Sequence, residues 1–291
     1  MAILTGINTR LSGSAGEWTF SRQGGRTIAR QKVDGKGGVR RTYAQMVLRA
    51  QWGNLVNLYR AFGGRLLLAF EGRRAGVSDF NEFMGANLGS AAAVYLTRGE
   101  VRQGGCVASG YQVSRGSLPS VACRIADGKY RSDIATGSLN LDAGTTLGQF
   151  SAALTGNNAG IVAGDQLSCF VARQTVGSDG VPYVHVEAHE VTLDPGDETP
   201  LASVVDTRFF SPVEGEIGVS DVVEGALAWV HSRRTPSGTK VSSQRLLAEN
   251  ALLGRYQGEA QRAEAIRSYG GLQTEPFLTP NDTNTAAPAN P

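Results

Sequence analysis

Two neighbouring runs decide the fold: Gln166-Leu167-Ser168-Cys169-Phe170-Val171-Ala172-Arg173-Gln174 and Tyr183-Val184-His185-Val186-Glu187-Ala188-His189-Glu190-Val191-Thr192. Both are of strand length; the first is a largely apolar run through Leu167, Cys169, Phe170, Val171 and Ala172, and the second carries Tyr183, three valines and Thr192. Gly177-Ser178-Asp179-Gly180 lies between them, so the pair predicts an antiparallel hairpin with a longer loop. Working outward, residues 92–96, 106–112, 118–125, 225–232 and 239–243 have the same texture, separated by glycine, proline and Asp-Gly turns. Short strands at this spacing favour an antiparallel sandwich or barrel over a parallel α/β sheet. No period of solenoid or propeller length recurs.

Helices stand at both ends of this β-rich stretch. Thr42-Tyr43-Ala44-Gln45 is a capping box. Beyond it Leu48, Trp52, Leu55, Tyr59 and Phe62 recur every three or four residues, so residues 43–62 read as an amphipathic helix with that stripe in the core, ended by Gly63-Gly64. A short helix is expected at 79–84, begun by Asp79 with Glu82 three residues on. Another is expected at 145–153, with Leu147, Phe150 and Leu154 on one side. Residues 259–269 form the last, stopped by Gly270-Gly271. The fold class that follows is α+β, mainly antiparallel β (sandwich or barrel-like), with an N-terminal extended arm, one long amphipathic helix and a C-terminal helix. The expected division is a basic arm or hairpin at 1–41, a helical segment at 42–91, a β-rich core with the C-terminal helix at 92–270, and an extended or mobile proline-containing tail at 271–291.

Glycine makes up 38 of 291 residues, well above the usual ~7%. Eight of these glycines break up the arm. Between them Trp18-Thr19-Phe20-Ser21-Arg22 and the run 27–33 read as a hairpin turned at Gln23-Gly24-Gly25, with Arg22, Arg26 and Arg30 giving it one basic face. A lone hairpin is marginal in water, so the arm is expected to need the rest of the fold or a second subunit. The net charge of +2 hides an asymmetry: residues 1–74 carry +10 and the remaining 217 carry −8. Such a dipolar chain suits head-to-tail contact with its neighbour, or nucleic acid held by Arg22, Arg26, Arg30, Lys32, Arg40 and Arg41 beside Trp18 and Phe20. No recognition-helix or RNP-like motif accompanies those cations.

Enzymatic chemistry finds little support. His185, Glu187 and His189 fall on one strand face, a donor set that a metal accepts. Their spacing is not the helical H-E-x-x-H pattern, and His231 is the remaining histidine, so the cluster reads as an outward polar face with Val184, Val186 and Ala188 inward. Gly35-Lys36-Gly37-Gly38 lacks phosphate-loop spacing, and no nucleophile elbow opens a helix. The chain is therefore expected to be no enzyme, with no cofactor and no metal. Cys106, Cys123 and Cys169 form neither a disulfide framework nor a CxxC pair, and read as reduced buried residues of a protein made in a cytoplasm. No apolar run approaches membrane-spanning length and no secretory leader is visible.

Several segments together carry a resemblance. Gly13-Ser14-Ala15-Gly16-Glu17-Trp18-Thr19-Phe20, then Arg41-Thr42-Tyr43-Ala44-Gln45-Met46 and the Trp52 helix are the first. Val94-Tyr95-Leu96-Thr97 to Gly116-Ser117-Leu118-Pro119, Glu187 to Asp194, Ala228-Trp229-Val230-His231-Ser232-Arg233 to Val241-Ser242-Ser243-Gln244, and the helix ending Ala265-Ile266-Arg267-Ser268-Tyr269-Gly270 follow. Together they resemble an uncharacterised family of phage and prophage structural (virion) proteins of gut Bacteroidales. The resemblance carries no catalytic residues. It implies a head, connector or tail component located in the virion, partnered by copies of itself in a homo-oligomer or ring, by other virion proteins and by packaged DNA, with no membrane. Trp18 and Phe20 would anchor the arm, and Arg22, Arg26, Arg30, Lys32, Arg40 and Arg41 would make its charged contacts.

Overall fold

The computed structural model describes residues 2–4, 12–23, 26–32, 42–73, 76–220 and 224–270. In chain order the arm contributes β1 (Ala2–Leu4), β2 (Gly13–Ala15), β3 (Trp18–Gln23) and β4 (Arg26–Gln31). Helices α1 (Tyr43–Ala61), α2 (Asp79–Asn87) and α3 (Arg98–Arg102) follow. The body then runs through β5 (Gln112–Ser114), β6 (Cys123–Ala126), β7 (Lys129–Ala135), α4 (Leu147–Asn157), β8 (Gln166–Val176), β9 (Pro182–Thr192) and α5 (Leu201–Val204). Next come β10 (Ser211–Val213), β11 (Glu216–Val219), β12 (Gly225–Thr235), β13 (Gly238–Val241), β14 (Gln244–Arg245), β15 (Leu247–Glu249), α6 (Leu253–Tyr256) and α7 (Glu259–Gly270). The fold is α+β and its strand ladders are antiparallel, as the sequence predicts.

The body is layered around one sheet, β13-β12-β8-β9, with β15 paired beside β12. Strand alternation sends its residues into two different cores. Phe170, Ala172, Val186, Ala226, Ala228 and Val230 pack against Leu55, Leu58 and Phe62 of α1 and against Phe83 of α2. Leu167, Cys169, Val171, Val191, Leu227 and Trp229 pack against Tyr130, Ile134, Ile217 and Val219 of a second sheet, β10-β11-β7-β6, and against Phe150 and Leu154 of α4. The central sheet is thus buried on both faces, which explains why β8 and β12 read as nearly continuous apolar runs. The second sheet is built from two tight hairpins. Asp127-Gly128 (φ 51° and 70°) and Glu214-Gly215 (φ 55° and 82°) both occupy the left-handed region that two-residue type I′ turns require.

The long helix starts where its capping box places it. Thr42 accepts from the Gln45 amide and Gln45 Oε1 from the Thr42 amide, each at 3.3 Å. Its buried face differs from the expected stripe. Leu55 and Phe62 are buried, but Leu48 and Trp52 remain 43% and 45% exposed, and Tyr59 is only half-buried. In their place Gln51, Gly53, Asn54 and Asn57 face inward. These carboxamides bond the backbone of segments that have no ladder of their own. Asn54 Oδ1 accepts from Val107 N–H at 2.7 Å while its amide donates to the Val107 carbonyl and the Tyr111 hydroxyl. Asn57 donates to Val101 and Gly105 carbonyls, and Gln51 accepts from Gly89 N–H. Burying polar side chains is favourable here because they bond backbone groups that lie outside the sheets, among them the Val107 N–H and carbonyl and the Gly89 N–H. Asn54→Ala is expected to lower the unfolding free energy by about 3 kcal/mol, since it strands both backbone groups of Val107 and removes one partner of the Tyr111 hydroxyl; chemical denaturation followed by circular dichroism measures it.

Hydrogen bonds outside any ladder explain where expected strands fail. Residues 92–96 are coil: Tyr95 N–H bonds Tyr256, Leu96 N–H bonds Ala50, and Val94 N–H bonds the Tyr111 hydroxyl. Of 106–112 only Gln112 enters a strand, because Asn54 and Gln174 take the hydrogen bonds of Val107 and Ala108. Residues 118–125 become a strand only from Cys123, and 239–243 are strand through Val241. The N-cap of α2 is Ser78 rather than Asp79, with its Oγ accepting from Asn81 N–H. The α4 helix opens after Thr146, which forms a second capping box with Gln149. The tail at 271–291 lies outside the described residues.

Candidate assembly interface

The arm is a sheet, not a lone hairpin. Strand β3 pairs with β4 from Trp18↔Gln31 to Gln23↔Arg26, β2 adds beside β3 from Gly13↔Phe20 to Ala15↔Trp18, and β1 adds beside β4, giving the order β1-β4-β3-β2. The turn residues Gly24 and Gly25 lie outside the described residues, but the register leaves two positions for them. Four strands form a more stable unit than two. Ile28 and Ala29 on the inner strand β4 are buried, yet neither belongs to either core of the body.

Register corrects the basic face. Residues directly opposite share a side, so Trp18, Phe20 and Arg22 lie with Ala15, Ala29 and Thr27, whereas Arg26, Ile28 and Arg30 lie on the other side with Thr19 and Ser21. The arginines therefore divide between two faces. The face of Arg22 is aromatic, with Trp18 47% exposed and Phe20 half-buried. Arg22, Arg26, Arg30 and Lys32 are exposed, and among the described residues no carboxylate pairs with any of them. Lys32 is fixed through its backbone, which donates to the Glu17 carbonyl at 2.5 Å. Arg40 and Arg41 lie outside the described residues. A second exposed apolar patch, missed in the stripe reading, is made by Leu48 and Trp52 on α1, with the Trp52 ring edge-on to Phe80 at 6.2 Å.

The histidine cluster matches its sequence reading in part: Val184, Val186 and Ala188 pack inward and His185 is exposed, but His189 is not on an open face. His185, Glu187 and His189 do share one face of β9, but this face is turned toward the second core. His189 stacks on Phe209 at 4.2 Å, Glu187 lies 3.6 Å from His189 Nε2, and Arg173 on β8 reaches Glu187 at 3.3 Å. Phe209 from a single 3-10 turn (Thr207–Phe209) covers His189, while Glu187 is half-buried and His185 stays exposed. Among the described residues no group of three His, Cys, Asp or Glu side chains is arranged to hold a metal ion. The cysteines are free thiols; burial pushes Cys106 up to about 12 and Cys123 to about 11, so both stay protonated at neutral pH. No helix among the described residues is long and apolar enough to cross a membrane.

The tightest charged cluster was also missed. Asp165, fully buried, receives His231 Nε2 at 2.7 Å, Arg233 through Nε and Nη2 at 2.7 and 2.8 Å, and the Val162 amide at 2.9 Å. Burial alone would raise its pKa, but these donors outweigh it and hold the carboxyl below the usual range. The only sequence signal was the alternation of Trp229, His231 and Arg233 along one strand face. The cluster joins β12 to the turn before β8, a structural task. Compared with known proteins, the chain matches no family model, no curated protein and no solved structure.

Proposed function

We propose that this chain is a phage virion structural protein, a head, connector or tail component that acts by multicopy assembly through its N-terminal sheet. The observation that carries the reading is a four-stranded sheet outside both body cores that presents exposed Trp18 and cations with no acidic partner among the described residues. Burying one tryptophan and one phenylalanine per contact contributes a few kcal/mol (~25 cal/mol per Å²), enough for a repeated interface when many copies add up. The −8 charge of residues 75–291 supplies the complementary surface for a neighbour's basic arm. Copies of itself and other virion proteins are the partners.

The test compares the full chain with Trp18→Ser/Phe20→Ser. The wild type is expected to sediment as large oligomers at micromolar concentration, and the double variant as a monomer with an unchanged unfolding midpoint. A wild type that remains monomeric at every concentration overturns the reading. Mass spectrometry of purified particles locates the chain. A second reading, a phage nucleic-acid-binding protein, rests on exposed Arg26 and Arg30 sharing one face. It requires DNA affinity that falls steeply with salt and disappears in Arg26→Ala/Arg30→Ala.

A further inference from the structure

On the helical side of the central sheet, three strands change chemistry at the same level. Along that face β8 passes from Ala172 and Phe170 to Ser168 and Gln166, and β9 from Val186 and Ala188 to Glu190 and Thr192. In the same way β12 passes from Ala228 and Val230 to Ser232 and Arg234. Register gathers the polar residues: Thr192, Gln166 and Ser232 form one row, Glu190 and Ser168 lie in the next, and Thr239 of β13 stands opposite Arg234. The apolar half is covered by α1, whose C-cap Phe62 meets Phe170 edge-on at 5.7 Å. The polar half lies beyond the helix end.

A flat polar face would be ordinary solvated surface, but this one has a wall. Successive turns (Arg65 N–H to Phe62, Leu67 N–H to Gly64, Ala69 N–H to Leu66) bury Leu66 and place exposed Leu67 and Leu68 along the polar rows. Leu68 is held at φ 62°, which a leucine rarely adopts, so the wall is kept at a cost in backbone energy. The result is a concave site of about 320 Å³, within the range of small-molecule pockets (~300–1,000 Å³).

Its lining selects the occupant. Arg65 donates to the Phe62 carbonyl at 3.1 Å, and among the described residues neither Arg65 nor Arg234 meets a carboxylate. Glu190 is the opposing charge; its Oε2 accepts from Gln166 at 2.8 Å, and its Oε1 bonds no described residue. Two cations against one carboxylate leave the lining at +1, which suits a ligand with a single negative charge. The hydroxyls of Thr192, Ser232 and Thr239 bond no described residue either, so they are free to donate to and accept from the hydroxyls of a ligand. Leu67 and Leu68 supply apolar surface for the C–H side of a ring. We propose that this groove binds a sugar acid, with its carboxylate on Arg65 and Arg234 and its hydroxyls on Glu190, Ser232 and Thr239. No residue of the N-terminal sheet lines the groove, so the proposal does not depend on the assembly reading.

Ligand-observed saturation-transfer NMR on the full chain tests this, with glucuronate, glucose and acetate as probes. Glucuronate is expected to bind saturably, and glucose and acetate each at least ~10-fold more weakly, because one lacks the charge and the other the hydroxyls. Arg234→Gln should lower glucuronate affinity to that of glucose, and Ser232→Ala/Thr239→Val should lower it toward that of acetate. None of these three residues belongs to either core, so the unfolding midpoint of both variants is expected to stay unchanged. Absence of saturable glucuronate binding overturns the proposal. So does glucose binding as tightly as glucuronate, or acetate doing so, which marks an adventitious anion only. Glucuronate binding that both variants leave intact also overturns it, because the sugar then sits elsewhere.

Discussion

Gly225→Ala is expected to abolish cooperative folding of the body. Gly225 opens β12 at φ 133° and is paired on both sides, with Arg173 of β8 and Glu249 of β15. A Cβ there would collide with the Ala172 carbonyl oxygen and lie 2.9 Å from the Gln174 amide. Neither atom can yield, because both belong to the central sheet on which the two cores rest. The expected cost is at least ~4 kcal/mol, large against the ~5–15 kcal/mol that stabilises a typical domain. Soluble yield and a urea titration report it. Gly254→Ala is the control: its Cβ would meet open space in the short helix α6, and stability should change by no more than ~1 kcal/mol.

Asp165→Asn is the second large effect. The substitution keeps the shape but removes the charge that His231 and Arg233 share, leaving the buried imidazole and the guanidinium without their anion. Breaking such a buried arrangement costs ~3–5 kcal/mol. The pH dependence has a definite sign. Because the folded carboxyl is held below its ordinary value of 3.8, its contribution is complete above that value and is lost as the pH falls through the lower folded one. Wild-type stability should therefore fall steeply below about pH 4, while Asp165→Asn should show a flatter acid limb from a lower plateau. Denaturant midpoints measured between pH 3 and 7 for both proteins test this; parallel curves would remove Asp165 from the account.

The central hairpin, β12, the capped start of α1 and the final helix were all legible, because each is decided by neighbours in the chain. Alternation, a capping box and a run between turn formers are local patterns with local causes. The faces were less so. Leu48 and Trp52 have core-type side chains, yet Gln51, Asn54 and Asn57 hold the buried side, since Gly89, Gly105 and Val107, on either side of α3, need their hydrogen bonds more than α1 needs two further apolar contacts. In the arm the residue types suggested one basic face, and only strand register separated Arg22 from Arg26 and Arg30.

By itself, then, the sequence determined an antiparallel α+β chain with a charged, glycine-broken N-terminal segment, through hydrophobic period and turn chemistry acting over a few residues. Tertiary structure alone decided which face of each element is buried, that the β9 histidine meets Phe209, and that Asp165 gathers His231 and Arg233. Those outcomes depend on partners 20 to 68 positions away, and no local pattern encodes which distant backbone group or charge will be left needing one.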